Sequence, residues 1–297
     1  MIKFIEKRIC KGGKLSLKKT ISFDIQRTGL WLDAEVTFAQ VGNWFGHTSR
    51  DLKMDVIAPF ENQDKKWPCI VWICGGAWIQ MDYHAHLPNF IELARSGFVI
   101  ASVEYRDSNA VTFPGQLEDV KAAIRYLRAH ADRYNIDPNR IGVMGESAGG
   151  HLAAMVGVTG EREEFDKGAY LDYSSSVQAA CPWYVPSSFD KMMHGDVDTG
   201  LLPESRLIGK DASKNPDLVR FASPISYISK NTPPFLLLHG THDQVVPFSQ
   251  SEYLYDALEK HEVPVDLIAI EGADHADIHF FQPEIIEIIE TFFKKNL

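Results

Sequence analysis

The sequence contains no run of about 18 apolar residues, the least that a membrane-spanning helix needs. It also lacks a dense Lys/Arg patch, and its 297 residues carry a formal net charge of −10. Binding to phosphate backbones takes clustered cations, so no nucleic-acid partner is expected. The lysines near the N-terminus are interleaved with Ile, Phe and Leu, and no long apolar core follows them. The chain as it stands therefore shows no signal peptide. Cysteine is scarce, with Cys10, Cys69, Cys74 and Cys181 the full complement. No Cys/His spacing of a metal site occurs. Cys69, Cys74 and Cys181 lie in or beside apolar strand-like runs, so buried free thiols in a reducing, cytoplasmic compartment are expected. A secreted mature form without its leader is the alternative. Internal repeats, low-complexity tracts and a clear domain boundary are absent too.

What is present is enough for a large core, since 45% of the residues are hydrophobic. Residues 1–297 read as a single α/β domain. Lys18–Gln26 and Glu35–Gln40 alternate polar and apolar residues, as half-buried strands do, and are expected to pair as an edge hairpin within an N-terminal extension of about 50 residues. Met54–Ala58 is a further strand. Cys69–Ile73, Phe98–Val103, Ile141–Met144, Val177–Cys181, Phe235–Gly240 and Val265–Ile270 are short apolar runs of the kind found in central parallel strands. Helical spacing occupies most gaps between them: Leu87–Ser96, a long helix opened by Phe113-Pro114-Gly115-Gln116, Ser249–Lys260, and a last helix from Pro283. Strand–helix alternation predicts a mostly parallel sheet with helices on both faces, and a ligand site beyond the carboxyl ends of the strands. Residues 186–232 form an insertion with only a weak helix near Asp217–Phe221, expected to act as a lid or substrate wall.

The chain is organised around Ile141-Gly142-Val143-Met144-Gly145-Glu146-Ser147-Ala148-Gly149-Gly150. An apolar strand, a sharp turn matching G-x-S-x-G and a small-residue helix are the setting of a nucleophile elbow, which lifts a serine above the sheet edge. A structural turn whose serine caps the helix is the competing reading. Serine needs a base to take its proton and a carboxylate to orient that base. Asp243 and His275 each follow a strand, and the order Ser147, Asp243, His275 is that of α/β-hydrolases. His239, His242 and His279 compete with His275. Cys74-Gly75-Gly76-Ala77-Trp78 closes another strand, where two glycines let backbone amides face a site. An oxyanion hole is the functional reading and a plain strand-end turn the structural one.

Phe113–Gln116, Asp119, Ala122–Arg128, Ile136–Val143 and Gly145–Leu152, followed by His239-Gly240-Thr241-His242-Asp243, form blocks similar to the esterase/lipase branch of the α/β-hydrolases near the hormone-sensitive-lipase group. Within that branch the chain most resembles the bifunctional feruloyl and acetyl-xylan esterase-like carbohydrate esterases, from about Asp51 to the C-terminus. The resemblance implies an α/β-hydrolase fold, a triad of Ser147, Asp243 and His275, and an oxyanion hole from the amides of Gly76, Ala77 and Ala148. Where the family usually has H-G-G-G-W, this chain has Cys74-Gly75-Gly76-Ala77-Trp78. Backbone amides survive both changes, but the loop's bracing and the room for acyl chains are altered.

The expected activity is hydrolysis of short-chain acyl or aryl esters, acetylated or feruloylated saccharides included, with no metal or cofactor. An amide hydrolase with the same triad and a non-catalytic binding protein on this scaffold are the rivals. Trp78, Tyr105, Trp183, Tyr184, Met193 and Val245 are candidate pocket walls, with ordinary packing as the alternative. The expected partner is a small-molecule or oligosaccharide ester. A second copy of the chain is compatible with the N-terminal extension.

Overall fold

A computed structural model describes residues 3–11, 14–22, 24–25, 27–43, 46–60, 65–192 and 202–297. The elements in chain order are β1 (Lys3–Lys11), β2 (Lys14–Ser22), β3 (Leu30–Asn43), β4 (Thr48–Pro59), β5 (Trp67–Ile73), α1 (Ile91–Arg95), β6 (Val99–Val103), α2 (Gly115–Ala129), α3 (Ala131–Tyr134), β7 (Ile136–Glu146) and α4 (Ser147–Val158). After them come β8 (Ala179–Trp183), α5 (Pro203–Ile208), α6 (Pro216–Phe221), β9 (Phe235–Gly240), α7 (Ser249–Lys260), β10 (Val265–Ile270) and α8 (Pro283–Asn296). Eight strands form one sheet in the order β10-β9-β8-β7-β5-β6-β4-β3. β3 and β4 are antiparallel to each other, as are β4 and β6; the remaining pairs are parallel.

Period-two alternation divides the core between two faces. Cys69, Val71 and Ile73 of β5 pack with Leu117 and Ile124 of α2, Leu152 of α4 and Leu254 of α7. Ile70 and Trp72 point the other way, toward Leu93 of α1 and Ile289 and Phe293 of α8. Because both faces are covered, β5 is buried along its whole length, and a strand with an apolar residue at nearly every position results. Cys69, Cys74 and Cys181 are buried free thiols.

The register sets the ends of the parallel strands level. Ile73 lies opposite Gly145, Glu146 opposite Trp183, Trp183 opposite Leu238, and Gly240 opposite Ile270. The loops that follow these strands therefore open on one rim.

The N-terminal pairing differs from expectation. β2 pairs with β1 in a separate two-stranded sheet, and β3 pairs with β4 on the edge of the main sheet. A connection of two residues makes the β1–β2 hairpin the nearer partner, and the β3–β4 ladder is long enough to hold the edge even with register shifts near Asp33 and Thr37. The insertion is more structured than its sequence suggests, with α5, α6 and one-turn helices at Phe189–Lys191, Ala212–Lys214 and Pro224–Ser226. It is pinned by Gln250, whose Oε1 accepts from the amides of Ser187 and Ser188 at 3.0 and 2.8 Å. Among the described residues, no helix is long and apolar enough to cross a membrane.

Candidate active site

Ser147 stands between β7 and α4 with φ 50°, in the left-handed region. The strain persists because its surroundings fix it. A Cβ on Gly149 would lie 2.1 Å from the Ile73 carbonyl oxygen, so only glycine lets α4 start this close to β5. The serine hydroxyl is thereby raised over the rim.

His275 follows β10 and reaches back across the rim. Its Nε2 is 3.0 Å from Ser147 Oγ, and its Nδ1 is 2.8 Å from Asp243 Oδ2. Asp243 lies in the loop after β9 with its side chain fully buried. Burial favours its neutral acid. Hydrogen bonds from His239 and His275, the nearby imidazole charge and the Val246 amide outweigh that and hold the carboxyl well below the usual range. Its Oδ1 accepts from the amides of Val245 and Val246, both at 2.8 Å. An ionised Asp243 keeps the His275 proton on Nδ1 and leaves Nε2 to accept from Ser147. His239, a rival on sequence grounds, is occupied elsewhere. Its Nδ1 pairs with Ser251 Oγ at 2.7 Å, and its Nε2 lies 3.0 Å from the Val246 carbonyl and 3.3 Å from Asp243 Oδ2.

The turn after β5 faces the same space. Gly76, Ala77 and Trp78 have φ of 118°, 55° and 55°. A Cβ on Gly76 would sit 1.6 Å from the Gln80 carbonyl oxygen, which itself follows a tight turn closed by Ile79 and Gln80 amides on the Gly76 carbonyl. Among the described residues, the N–H groups of Gly76, Ala77 and Ala148 donate to no other group. Three free amides beside a serine can stabilise an oxyanion.

Ala77, Trp78 and Ser147 share a cavity of about 190 Å³ with Pro186, Phe189, Met192, Pro203, Glu204, Val245 and Val246. A larger groove of about 750 Å³ runs between β10 and α8, but it contains none of Ser147, Asp243 and His275. Trp78 and Val245 thus line the cavity, Val245 as an exposed residue at its mouth. Met193 lies outside the described residues.

Three expected wall residues do not reach the cavity. Tyr105 is buried behind the turn, where its hydroxyl donates to the Cys74 carbonyl at 3.1 Å. Trp183 belongs to β8, which runs two residues beyond Cys181, and packs on the opposite face against Trp72 and Phe280. Tyr184, with φ 34°, turns its hydroxyl onto Glu146 Oε2 and sets its ring against His275 with centroids 4.6 Å apart. It positions the base rather than the substrate. Sequence reading had no means of telling which face a residue just past a strand would take.

Glu146 was not foreseen as a brace. It is buried, and its Oε1 accepts from the Gly75 amide at 3.3 Å and lies 3.0 Å from His86 Nε2. Burial would raise its carboxyl; the hydrogen bonds from His86, Tyr184 and Gly75 more than offset this and hold it low. An acidic residue at the second position of G-x-S-x-G was the available signal. His151 joins the two turns. Its Nδ1 accepts from Trp78 Nε1 at 3.2 Å, and its Nε2 donates to the Ala222 carbonyl at 2.7 Å. Phe189 and Met192 lie in and just after a single helical turn, too short to leave a period in the sequence.

Comparison with known proteins places this geometry in context. The BD-FAE family profile matches residues 54–258. A probable carboxylic ester hydrolase, LipM of Mycobacterium tuberculosis, is 33% identical over 65% of this chain and 45% of its own length. Esterase LipC of the same organism is 30% identical over 75% of this chain and 56% of its own. The chain thus spans about half the length of the curated relatives it matches. Among solved structures, a truncated carbohydrate esterase from gut microbiota superposes with a TM-score of 0.80 and 31% identity, over 91% of this chain and 96% of that one. The mostly parallel sheet is that of the α/β-hydrolase esterases.

Proposed function

Because the chain belongs to the BD-FAE family, we propose that it is a serine carboxylic-ester hydrolase, acting on short-chain acyl esters and on acetylated saccharides in particular. The observation that carries this reading is the unbroken hydrogen-bonded series from Ser147 Oγ through His275 to Asp243. Ser147 Oγ attacks the ester carbonyl while His275 Nε2 takes its proton. The carbonyl oxygen becomes an oxyanion, held by the amides of Gly76, Ala77 and Ala148. Each such donor is worth about 3–4 kcal/mol of barrier. Collapse of the intermediate breaks the ester C–O bond, and His275 returns the proton to the leaving alcohol. Water then attacks the acyl-enzyme by the same route, and the acid leaves. Asp243 stabilises the imidazolium without taking its proton.

Two features support a small acyl group. The cavity of about 190 Å³ is below the roughly 300–1,000 Å³ usual for ligand pockets. Pro186, Phe189, Met192, Pro203 and Glu204 bound the cavity on the side of the insertion. The saccharide reading draws on the carbohydrate esterase and on an acetyl ester-xyloside bifunctional hydrolase of Caldicellulosiruptor lactoaceticus among the similar structures.

The test is initial-rate hydrolysis of aryl acetate, aryl butyrate, aryl octanoate, methyl ferulate, acetylated xylo-oligosaccharide and an aryl formamide by wild type and Ser147→Ala. Acetyl esters cleaved fastest, by wild type alone, is the expected result. Octanoate as the best substrate rejects the small-acyl reading. A formamide faster than every ester moves the enzyme to amide chemistry, and an equally active mutant rejects the mechanism.

A further inference from the structure

One buried cluster beside the active centre has chemistry that ester hydrolysis does not use. Cys74, His86 and Glu146 bring a sulfur, an imidazole nitrogen and a carboxylate oxygen within 4.8 Å of one another, the only such group among the described residues. Glu146 Oε1 is 3.6 Å from Cys74 Sγ and 3.0 Å from His86 Nε2. In a tetrahedral zinc site, with bonds of about 2.3 Å to sulfur and about 2.0 Å to nitrogen or oxygen, neighbouring ligand atoms lie roughly 3.3–3.5 Å apart. The Cys74–Glu146 and His86–Glu146 separations are close to two edges of that tetrahedron, and the third pair of donor atoms lies within 4.8 Å. We propose that Cys74, His86 and Glu146 bind one thiophilic divalent cation of the zinc class.

The donor set fits the ion. A thiolate and a carboxylate balance its two charges, imidazole adds a neutral ligand, and sulfur disfavours magnesium and calcium. Cys74 and Glu146 are each about 6% exposed, while the His86 side chain is 26% exposed. The ion therefore enters past His86, and water takes the fourth position. A supporting shell is in place as well. The Asp82 amide donates to Cys74 sulfur, Tyr184 and the Gly75 amide donate to Glu146, and the His86 ring stacks on Phe281 at 4.9 Å.

Without metal, Cys74 Sγ donates to Glu146 Oε1 at 3.6 Å. Binding exchanges that S–H bond for an S–metal bond and releases one proton to solvent. The His86 ring proton that bonds Glu146 Oε1 from Nε2 moves to Nδ1, which frees the Nε2 lone pair for the ion. Cys74 precedes the amide-bearing turn, and Glu146 precedes Ser147. An ion that draws Glu146 Oε1 away from the Gly75 amide disturbs both turns, so occupancy slows ester hydrolysis. This last consequence rests on the proposed function; the binding does not.

The full chain, freed of metal by chelation, is titrated with cobalt(II) and then zinc(II). One cobalt per chain with a thiolate-to-cobalt charge-transfer band, displaced by zinc, is expected. Zinc affinity, measured against a chromophoric chelator, falls at least tenfold in Cys74→Ser and in His86→Ala, and Cys74→Ser abolishes the band. His86 is partly exposed, so its variant serves if Cys74→Ser does not fold. Absence of the band in wild type, or wild-type affinity in His86→Ala, overturns the site. A band that survives in Cys74→Ser does so too, since it then comes from another thiol. Zinc that binds stoichiometrically without slowing ester hydrolysis overturns the coupling to catalysis.

Discussion

The turn after β5 and the turn after β7 end level with each other, Ile73 opposite Gly145, and both contain residues in the left-handed region. One presents backbone and the other a side chain. In the β7 turn, Ser147 must be serine, and Gly149 must be glycine because α4 starts against the Ile73 carbonyl. In the β5 turn, the working parts are N–H groups, which every residue but proline has. That turn accordingly accepts Cys74 and Ala77 where the resembling family has histidine and glycine. Its geometry is set instead by neighbours: Gln80 against Gly76, Tyr105 on the Cys74 carbonyl, Glu146 on the Gly75 amide. A site that uses the backbone moves its sequence constraint from the residues that act to the residues that hold them.

Substitutions can break or sharpen this contrast. Ser147→Ala removes the one indispensable side chain, and kcat for an aryl acetate is expected to fall by about 10⁴–10⁶ with an unchanged melting temperature. Gly76→Ala attacks the backbone of the other turn, through a Cβ placed 1.6 Å from a carbonyl oxygen at φ 118°. A kcat loss of about 10²–10³ is expected, with KM less affected; normal kcat would mean that these amides do not hold the oxyanion.

His151 ties the two turns together and gives the link a pH dependence. Burial lowers its pKa from 6.5 to about 4, an effect that its bond to the Ala222 carbonyl reduces only in part. Between those values the unfolded chain binds the proton and the folded chain does not. The stability this site lends is therefore complete above about pH 6.5 and is lost as pH falls toward 4, on the order of 3 kcal/mol. Thermal melts of His151→Gln, which keeps one acceptor and one donor, should show a shallower decline over that window. An identical decline would assign the acid sensitivity to other groups.

Tyr105→Phe removes a bond to the Cys74 carbonyl, and a stability loss of about 1 kcal/mol with less than about a tenfold loss of kcat is expected. Ala77→Gly should do least. It keeps the donating N–H and relieves a left-handed alanine by about 1 kcal/mol, so kcat should change by less than about threefold while the melting temperature rises. A large kcat loss would show that the methyl group itself shapes the acyl site.

Much of this architecture was legible in the residues. Apolar runs such as Phe235–Gly240 announce buried parallel strands because both sheet faces are covered. Ser147, Asp243 and His275 each follow such a run, and parallel topology alone sends them to one rim. The illegible part has a common cause: the direction of a side chain just past a strand depends on where the strand stops and on one φ value. β8 continues to Trp183, which sends that ring to the far face; φ 34° at Tyr184 turns its hydroxyl onto Glu146. The cavity wall was hidden for another reason. Pro186, Phe189 and Met192 lie in a loop and a single helical turn and meet the site through the fastening of Ser187 and Ser188 to Gln250. That fastening leaves no periodic trace.

The bond between Ser147 and His275 also spans time. These two residues are 128 positions apart in the chain. At roughly 5–20 residues per second, synthesis delivers the serine some 6–26 s before its base. For that interval the nascent chain bears a serine with no base to activate it. Hydrolysis can begin only once β9 and β10 have joined the sheet edge, so the appearance of enzymatic rate reports a late step of assembly.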